Sequence, residues 1–342
     1  MKDVEYKVLE QYCVDVNGVR RAREGYLCDT MQGLLRIKEI RTSVKKIPYV
    51  QYLCQQLMES GYGMIDMALL NKENSYACRM RDGETYILKH WFVGRECDVY
   101  REKEVIEACR TLALLHQYLD EVSKQIVMMQ KDLEVDNRWD KFTRPMLTEE
   151  WKRHNRGLKK TYSYMRKRVS KGPFERLYLQ EFEYIYAAAE AVTEKLQFSG
   201  YQELYEKAIK EKQLIHGDYN YHNILFVGPQ VVITNFDRFR VDVAISDLYY
   251  FMRKVMEKNN WDEKLGLKML TSYHEVRCIT AEEIEYIGLR LSYPEKVWKL
   301  INQYYNSNKA MICEKNVEKL RISVEQMEIK RHFVQHILSF QL

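Results

Sequence analysis

Proline is scarce in this sequence, at five residues in 342, and glycine is modest at 14. That scarcity suits a helix-rich chain with few long loops. No run approaches the roughly 18 consecutive apolar residues that a membrane span needs. The opening stretch "MKDVEYKVLEQYCVDVNGVRR" holds no continuous apolar segment, which argues against a secretory signal. No C-x-x-C pair occurs. The eight cysteines (Cys13, Cys28, Cys54, Cys78, Cys97, Cys109, Cys278 and Cys313) lie far apart, against a zinc site or a disulfide framework and in keeping with a reducing compartment. The expectation is a protein made and folded in the cytosol, with the cysteines as small buried apolar residues. Strong charge imbalance is absent too. A net charge of +5 does not by itself suggest nucleic acid, and no internal repeat or low-complexity tract is present.

What is there describes a folded globular chain. Hydrophobic residues make up 46% and charged residues 30%, enough for a substantial core under a solvated surface. The length allows two domains or one large bilobed one. The first hundred residues read as strands around one helix. "GYLCDTMQGLLRIKEI" (25–40) gives two short strands joined at Gln32-Gly33. The region 42–60 reads as a helix, with Val50, Leu53, Cys54, Leu57 and Met58 at helical spacing and a stop at Gly61. "SYACRMRDGETYILKHWFVG" (75–94) has an Asp-Gly hairpin signal at 82–83. After Gly94 the pattern turns helical. Val105, Ile106, Cys109, Leu112, Ala113 and His116 form one stripe, and a long helix covers 179–197. Two short strands, "ILFV" (224–227) and "VVIT" (231–234), interrupt the helices around Gly228-Pro229, and helix resumes beyond Asp247. Asp247 reads as a helix N-cap or loop anchor.

The chemistry concentrates in "LIHGDYNYHNILFVGPQVVITNFD" (214–237). Phosphoryl transfer needs a carboxylate to orient the attacking hydroxyl, cations on the phosphates, and magnesium held by carboxylate or amide oxygens. The spacing H-G-D-x-x-x-x-N supplies Asp218 as a candidate base and Asn223, five residues on, as a candidate metal ligand. The strand hairpin returns the chain so that residues 235–237 lie beside Asn223. His216 reads as a loop histidine bonded to backbone.

This stretch resembles the aminoglycoside phosphotransferase and choline kinase superfamily, and "TLALLH" (111–116) is similar to that superfamily's helix after the hinge. "HGDYNYHNILF", "NFDRF", "DLYYFMRKVME" (247–257) and "LSYPEKVWKLINQYYN" (291–306) together resemble the CotS-like spore coat family, over nearly the whole chain. The resemblance implies an α+β, bilobed protein-kinase-like fold. Its small β-rich N-lobe would occupy 1–95, with the hinge near 86–95. The large helical C-lobe would occupy 96–342 and carry the catalytic-loop-like segment 214–237. It further implies ATP and Mg2+ as cofactors, other spore coat proteins or a small-molecule acceptor as partners, and deposition in the spore coat after synthesis in the mother cell.

The superfamily also implies a phosphate-binding lysine on the third strand. Two lysines qualify. Lys89 in "YILKHW" has Glu102 as a conceivable partner, but its place before the hinge favours Lys38 in "GLLRIKEI". The helix after Lys38 offers Gln51, Gln55 and Gln56 but no acid before Glu59, so Lys38 is expected to lack the carboxylate that normally orients such a lysine. "NGVRRAREG" (17–25) reads as a poor phosphate-cradling loop. Asn235 stands where relatives with kinase activity place a metal-bridging aspartate, and an amide loses the charge that offsets a dication. Asp237 is the candidate to compensate. On an extended segment 235 and 237 would face the same way about 6–7 Å apart, too far for simple replacement. The metal set is therefore Asn223, Asn235 and Asp237. The expected outcome is a degenerate nucleotide site on a pseudokinase-like coat component. An active Mg-ATP phosphotransferase with Asp218 as base is the alternative.

One further stretch is unusual. Residues 151–171, "WKRHNRGLKKTYSYMRKRVSK", carry nine Lys or Arg and no acid. A solvated helix face is the simplest reading, docking to an acidic coat partner the next. Stacking of nucleic acid on Trp151, Tyr162 and Tyr164 is the more distant one.

Overall fold

The computed structural model describes residues 4–81, 83–133, 139–306 and 314–341. Two compact units are distinguished, Met1–Phe142 with Lys212–Val241, and Thr143–Glu211 with Asp242–Leu342.

The first unit begins with a short helix α1 (Val4–Leu9) and the strands β1 (Val16–Ala22), β2 (Gly25–Thr30) and β3 (Gly33–Glu39). Helix α2 (Ile47–Glu59), β4 (Cys78–Arg79) and β5 (Thr85–His90) follow. The strands form one antiparallel sheet in the order β1-β2-β3-β5-β4. The β2–β3 turn falls where Gln32-Gly33 predicts it, with Gly33 at φ 105° and Thr30 Oγ1 donating to Gly33 O at 2.6 Å. Residues 17–25 are not a loop. They are β1 plus a two-residue turn, Arg23–Glu24, because Ala22 pairs directly with Gly25. At Gly25 (φ 149°) a Cβ would lie 2.0 Å from Ile37 O, so only glycine lets β2 approach β3 here. Asp82 of the Asp-Gly signal lies outside the described residues, but Gly83 N–H donates to Met80 O at 3.0 Å and Met80 N–H to Glu84 O at 2.7 Å.

Register decides what each face of this sheet carries. Cys28, Leu35, Ile37, Tyr86 and Leu88 alternate onto one face and form a core with Val8, Leu9 and Tyr12. Arg36 pairs with Lys89 and Lys38 with Ile87, and directly paired residues share a face. Both candidate lysines therefore project from the opposite face, on neighbouring strands. Helix α2 starts at Ile47, later than expected, after a 3-10 turn at Val44–Lys46. Pro48 lies in its first turn, where a missing N–H costs nothing.

The rest of this unit comprises β6 (Arg95–Glu96), helix α3 (Glu102–Leu133), β7 (Leu214–Ile215), β8 (Ile224–Val227), β9 (Gln230–Ile233) and β10 (Arg240–Val241). β8 and β9 form the expected hairpin, with β6 on its edge, while β7 pairs with β10. The α3 stripe is buried through Val105, Cys109, Leu112, Ala113 and His116, each large aliphatic side chain contributing about 1.5–3 kcal/mol. Tyr219 Oη donates to Ala108 O at 2.7 Å and ties the 216–223 loop to this helix.

The second unit is helical: α4 (Leu147–Lys167), α5 (Pro173–Gln197), α6 (Tyr201–Lys210), α7 (Ile245–Met256), α8 (Glu263–His274), α9 (Ala281–Ser292), α10 (Glu295–Asn306) and α11 (Glu314–Leu338). Helix α9 opens with a reciprocal Thr280–Glu283 capping box. Trp151 of α4 stacks on Tyr293 at 4.3 Å. Asp247 is not the cap of α7. That position belongs to Ala244, and Asp247 lies buried within the first turn. Of the cysteines, Cys28, Cys54, Cys78, Cys97 and Cys109 are buried free thiols, while Cys13 and Cys278 are exposed. Cys313 lies outside the described residues. Among those residues no helix is long and apolar enough to cross a membrane.

Candidate active site

Five separated segments of the first unit meet at the lysine-bearing face of the sheet. β3 brings Lys38, and β5 brings Lys89. The stretch after α2 brings Asp66, and the segment following β9 brings Asn235 and Asp237. The loop after β7 adds Asp218, and Asn223 precedes β8. Gly217 makes that loop possible: at φ 78°, a Cβ would lie 2.0 Å from Arg238 O.

Asn235 and Asp237 do not lie on an extended segment. Asn235 is left-handed, at φ 66° and ψ 54°, and Phe236–Arg238 form a 3-10 turn. Both side chains consequently reach one ammonium. Lys38 Nζ donates to Asn235 Oδ1 at 2.9 Å and to Asp237 Oδ2 at 2.6 Å. The segment therefore turns where an extended one is expected, and the spacing argument drawn from an extended segment does not apply. The expectation that Lys38 lacks an orienting carboxylate fails as well, since Asp237 fills that role. The α2 glutamines do other work. Gln51 accepts from Ala68 N–H at 2.8 Å, and Gln55 and Gln56 donate to Glu59.

Lys89 occupies the other side of Asp237. Its ammonium donates to Asp237 Oδ1 and Asp66 Oδ2, both at 3.1 Å, so its carboxylate partners are these two and not Glu102. Lys89 is 1% exposed. Burial alone would lower its pKa, but Asp237 and Asp66 outweigh burial and hold it above the ordinary lysine value. Burial would likewise raise Asp237, yet Lys89 and then Lys38 hold it well below the usual carboxylate range. Asp66 also accepts Asn235 N–H at 3.1 Å, which pins the left-handed turn.

The amide orientations follow from this chain of donors. Lys38 can only donate, so Asn235 presents its oxygen to it and its Nδ2 to Asn223, whose Oδ1 accepts at 2.7 Å. Asn223 Nδ2 then points at Asp218, donating to its backbone oxygen at 2.9 Å. The Asp218 carboxylate accepts from Asn220 Nδ2 at 3.1 Å and lies 3.8 Å from Arg238 Nε. His216 is satisfied by backbone as expected, with Nε2 3.0 Å from Thr234 O and Nδ1 accepting from Asp218 N–H at 3.2 Å.

In this arrangement the groups that would hold a dication are engaged by one another. Asn223 and Asn235 offer neutral oxygens, each already accepting a hydrogen bond, and the Asp237 carboxylate lies between two ammonium groups. Lys38, Lys89, Asp66 and Asp237 balance two positive against two negative charges without a metal. The adjoining cavity, lined by Lys38, Asp218, Asn223, Asn235, Asp237 and Arg238 among others, holds about 110 Å³, below the roughly 300–1,000 Å³ of common small-molecule pockets. The residues read from sequence are all brought together here. Asp66, Asn220 and Arg238 were not foreseen. Only Asp66 carries a signal, as a lone acid between Ile65 and Met67 in an apolar stretch.

The family model described as "Spore coat putative kinase YutH" matches residues 5–337. Among solved structures, an aminoglycoside phosphotransferase from Alicyclobacillus acidocaldarius is similar at a TM-score of 0.80 and 16% identity, covering 98% of this chain and 96% of its own. A spectinomycin phosphotransferase, solved with ADP and spectinomycin, is similar at 0.62 and 13%, covering 95% and 96%. An amicoumacin kinase, solved with AMP-PNP and Ca2+, is similar at 0.59 and 14%, covering 96% and 92%. At these identities the likeness establishes the fold, the aminoglycoside phosphotransferase and choline kinase-like one.

Proposed function

The chain belongs to the spore coat putative kinase YutH family, and from that premise we propose that it serves the coat through assembly, with its phosphotransferase centre held silent by internal pairing. One observation carries this reading: Asn235 donates to Asn223 Oδ1 while Asp237 is shared by Lys38 and Lys89. Every group that would hold a metal or a phosphate is engaged by another side chain of the same centre. Breaking into it exposes buried charge, which costs several kcal/mol. The family name supports deposition in the coat, and contact with other coat proteins is part of this proposal. A second reading draws on the fold's company of phosphotransferases and on Asp218, whose side chain is 24% exposed. It makes the protein an Mg-ATP phosphotransferase with Asp218 as base, Lys38 on the phosphates and a small-molecule or protein hydroxyl as acceptor.

Calorimetric titration with ATP, with and without Mg2+, separates the two. The assembly reading expects no saturable binding at millimolar ATP in the wild type, and Mg2+-dependent binding only in Asn235→Asp. Saturable Mg2+-dependent binding by the wild type that disappears in Asp218→Ala and Asp237→Ala overturns it.

A further inference from the structure

Helix α4 buries Leu147, Trp151, His154, Asn155, Leu158, Thr161 and Met165. The opposite face is cationic. Lys152, Arg153, Arg156, Arg166 and Lys167 are exposed, and among the described residues no carboxylate forms an ion pair with any of them. Lys159 and Lys160 instead lie over the rings of Tyr186 and Tyr305, at 5.9 and 5.4 Å. From Lys152 to Lys167 this face runs about 22 Å at 1.5 Å per residue, with charges recurring roughly every 4.5–6 Å. Each unpaired cation on a single helix face repels its neighbours, so the pattern weakens the isolated helix and favours an anionic cover.

Beside the charges, between α4 and α10, lies a groove of about 370 Å³ lined by Arg153, Gly157, Lys160, Trp298, Ile301 and Tyr305 among others. Its walls are aromatic and aliphatic, and its rim is cationic. Gly157 borders it with room to spare, since a Cβ there would meet only Trp298 Nε1, at 3.8 Å. At its floor His154 is 4% exposed and stacked on Trp298, and its Nδ1 has no hydrogen-bond partner among the described residues.

We propose that the exposed face of α4 and the α4–α10 groove together form a docking site for an acidic protein segment. Its carboxylates would recur at helical spacing along the charges, and one apolar side chain would seat in the groove. Charge complementarity selects an anionic occupant, and the aromatic residues select protein over single-stranded nucleic acid. Trp151 is 1% exposed and stacked on Tyr293, Tyr162 is stacked on Phe182 at 3.8 Å, and Tyr164 meets Tyr305 edge-on. None of the three is a free platform for bases, whose stacking would otherwise add about 1–3 kcal/mol each. The proposal rests on the assembly reading and names the surface through which assembly proceeds.

The test uses the full chain and a labelled synthetic peptide with glutamate at every third or fourth position and one central leucine. Fluorescence polarisation is read at 50 and 200 mM salt, with an oligothymidylate of equal charge as comparison. The wild type is expected to bind the peptide more tightly than the oligonucleotide, with affinity falling as salt rises. Arg153→Glu/Arg156→Glu/Lys160→Glu is expected to weaken the peptide at least tenfold, with a thermal midpoint no lower than that of the wild type. Gly157→Leu, which fills the groove, is expected to weaken the leucine-bearing peptide but not an all-polar one. The milder Arg156→Gln/Lys160→Gln guards against misfolding and should give an intermediate loss. Equal peptide affinity in wild type and the charge variants overturns the proposal, as does tighter binding of the oligonucleotide. ATP titration of the same variants keeps the two readings apart. Mg-ATP binding by the wild type defeats the silent centre while leaving α4 untouched, and peptide indifference defeats α4 alone.

Discussion

Lys89 is a fully buried cation whose removal leaves, among the described residues, Asp66 without an ion pair and Asp237 paired with Lys38 alone. Lys89→Met is therefore expected to lower unfolding free energy by about 3–5 kcal/mol, the range for breaking one side of a buried pair, measured by urea denaturation. Lys38→Met should cost clearly less, because Lys38 is 14% exposed and Asp237 keeps Lys89. A loss in Lys38→Met equal to or above that in Lys89→Met would contradict the shared-carboxylate arrangement. Asn235→Asp replaces a donor by an acceptor facing Asn223 Oδ1 and is expected to cost about 1–3 kcal/mol without metal. Millimolar Mg2+ should then raise the thermal midpoint of this variant and leave the wild type unmoved. At this scale the sequence was legible where residue type alone carries the meaning: His-Gly-Asp with Asn five on, and an asparagine in an acid's place. It was not legible where backbone conformation or distant pairing decides. The left-handed turn at Asn235 brings it and Asp237 onto one ammonium. Whether Lys38 or Lys89 mattered had no answer as an alternative, since strand register sets both beside Asp237.

At the scale of elements, two glycines carry close backbone approaches that hydrophobic pattern does not reveal. Gly25→Ala and Gly217→Ala each drive a Cβ to 2.0 Å from a carbonyl oxygen, and each is expected to cost more than about 2 kcal/mol, well beyond the usual glycine-to-alanine change. Gly157→Ala is the contrast. It sits in the interior of α4 with only a 3.8 Å contact in prospect, and should stabilise by about 0.5–1 kcal/mol. Equal destabilisation by all three, in parallel chemical melts, would refute the packing argument. Elements with strong periodicity were foreseen: the β2–β3 hairpin, α2, the α3 stripe, the β8–β9 hairpin and the helices beyond. Residues 17–25 were misread because alternating polar and small residues on an edge strand lack the apolar signal of a buried one. The start of α2 shifted because a proline in the first turn marks an onset more firmly than spacing does.

For the molecule as a whole, the groups with depressed pKa values set the acid limb of stability. His154 is pushed down to about 4, chiefly by burial, with Arg153 and Arg144 reinforcing and Glu150 and Glu295 opposing. Its folded pKa lies below the unfolded value near 6.5, so its contribution is present above pH 6.5 and is lost as pH falls toward 4. The loss at pH 5 is about 2 kcal/mol, and it falls on the second unit. Asp237, depressed further, contributes above roughly pH 4 and is lost only below it, in the first unit. Lys89, raised, contributes fully below about pH 10 and is lost above. Hydrogen exchange followed by mass spectrometry should therefore show α4 and α10 losing protection between pH 6.5 and 4.5, before β3 and β5 do. His154→Phe should abolish that early loss. Simultaneous loss in both units would contradict the assignment.

The first unit is also interrupted in sequence, since residues 143–211 intervene before Lys212–Val241 complete it. On a ribosome, Asp66 and Lys89 emerge long before Asp237. Between Phe142 and Asp237 lie roughly 95 residues, or about 5–20 s of synthesis at 5–20 residues per second. Until then one of the two carboxylates that hold Lys89 in the finished unit has yet to be made. Closure of the centre is thus a late event in the life of each chain, and the arrival of "NFD" is the moment at which the charged centre has all its members.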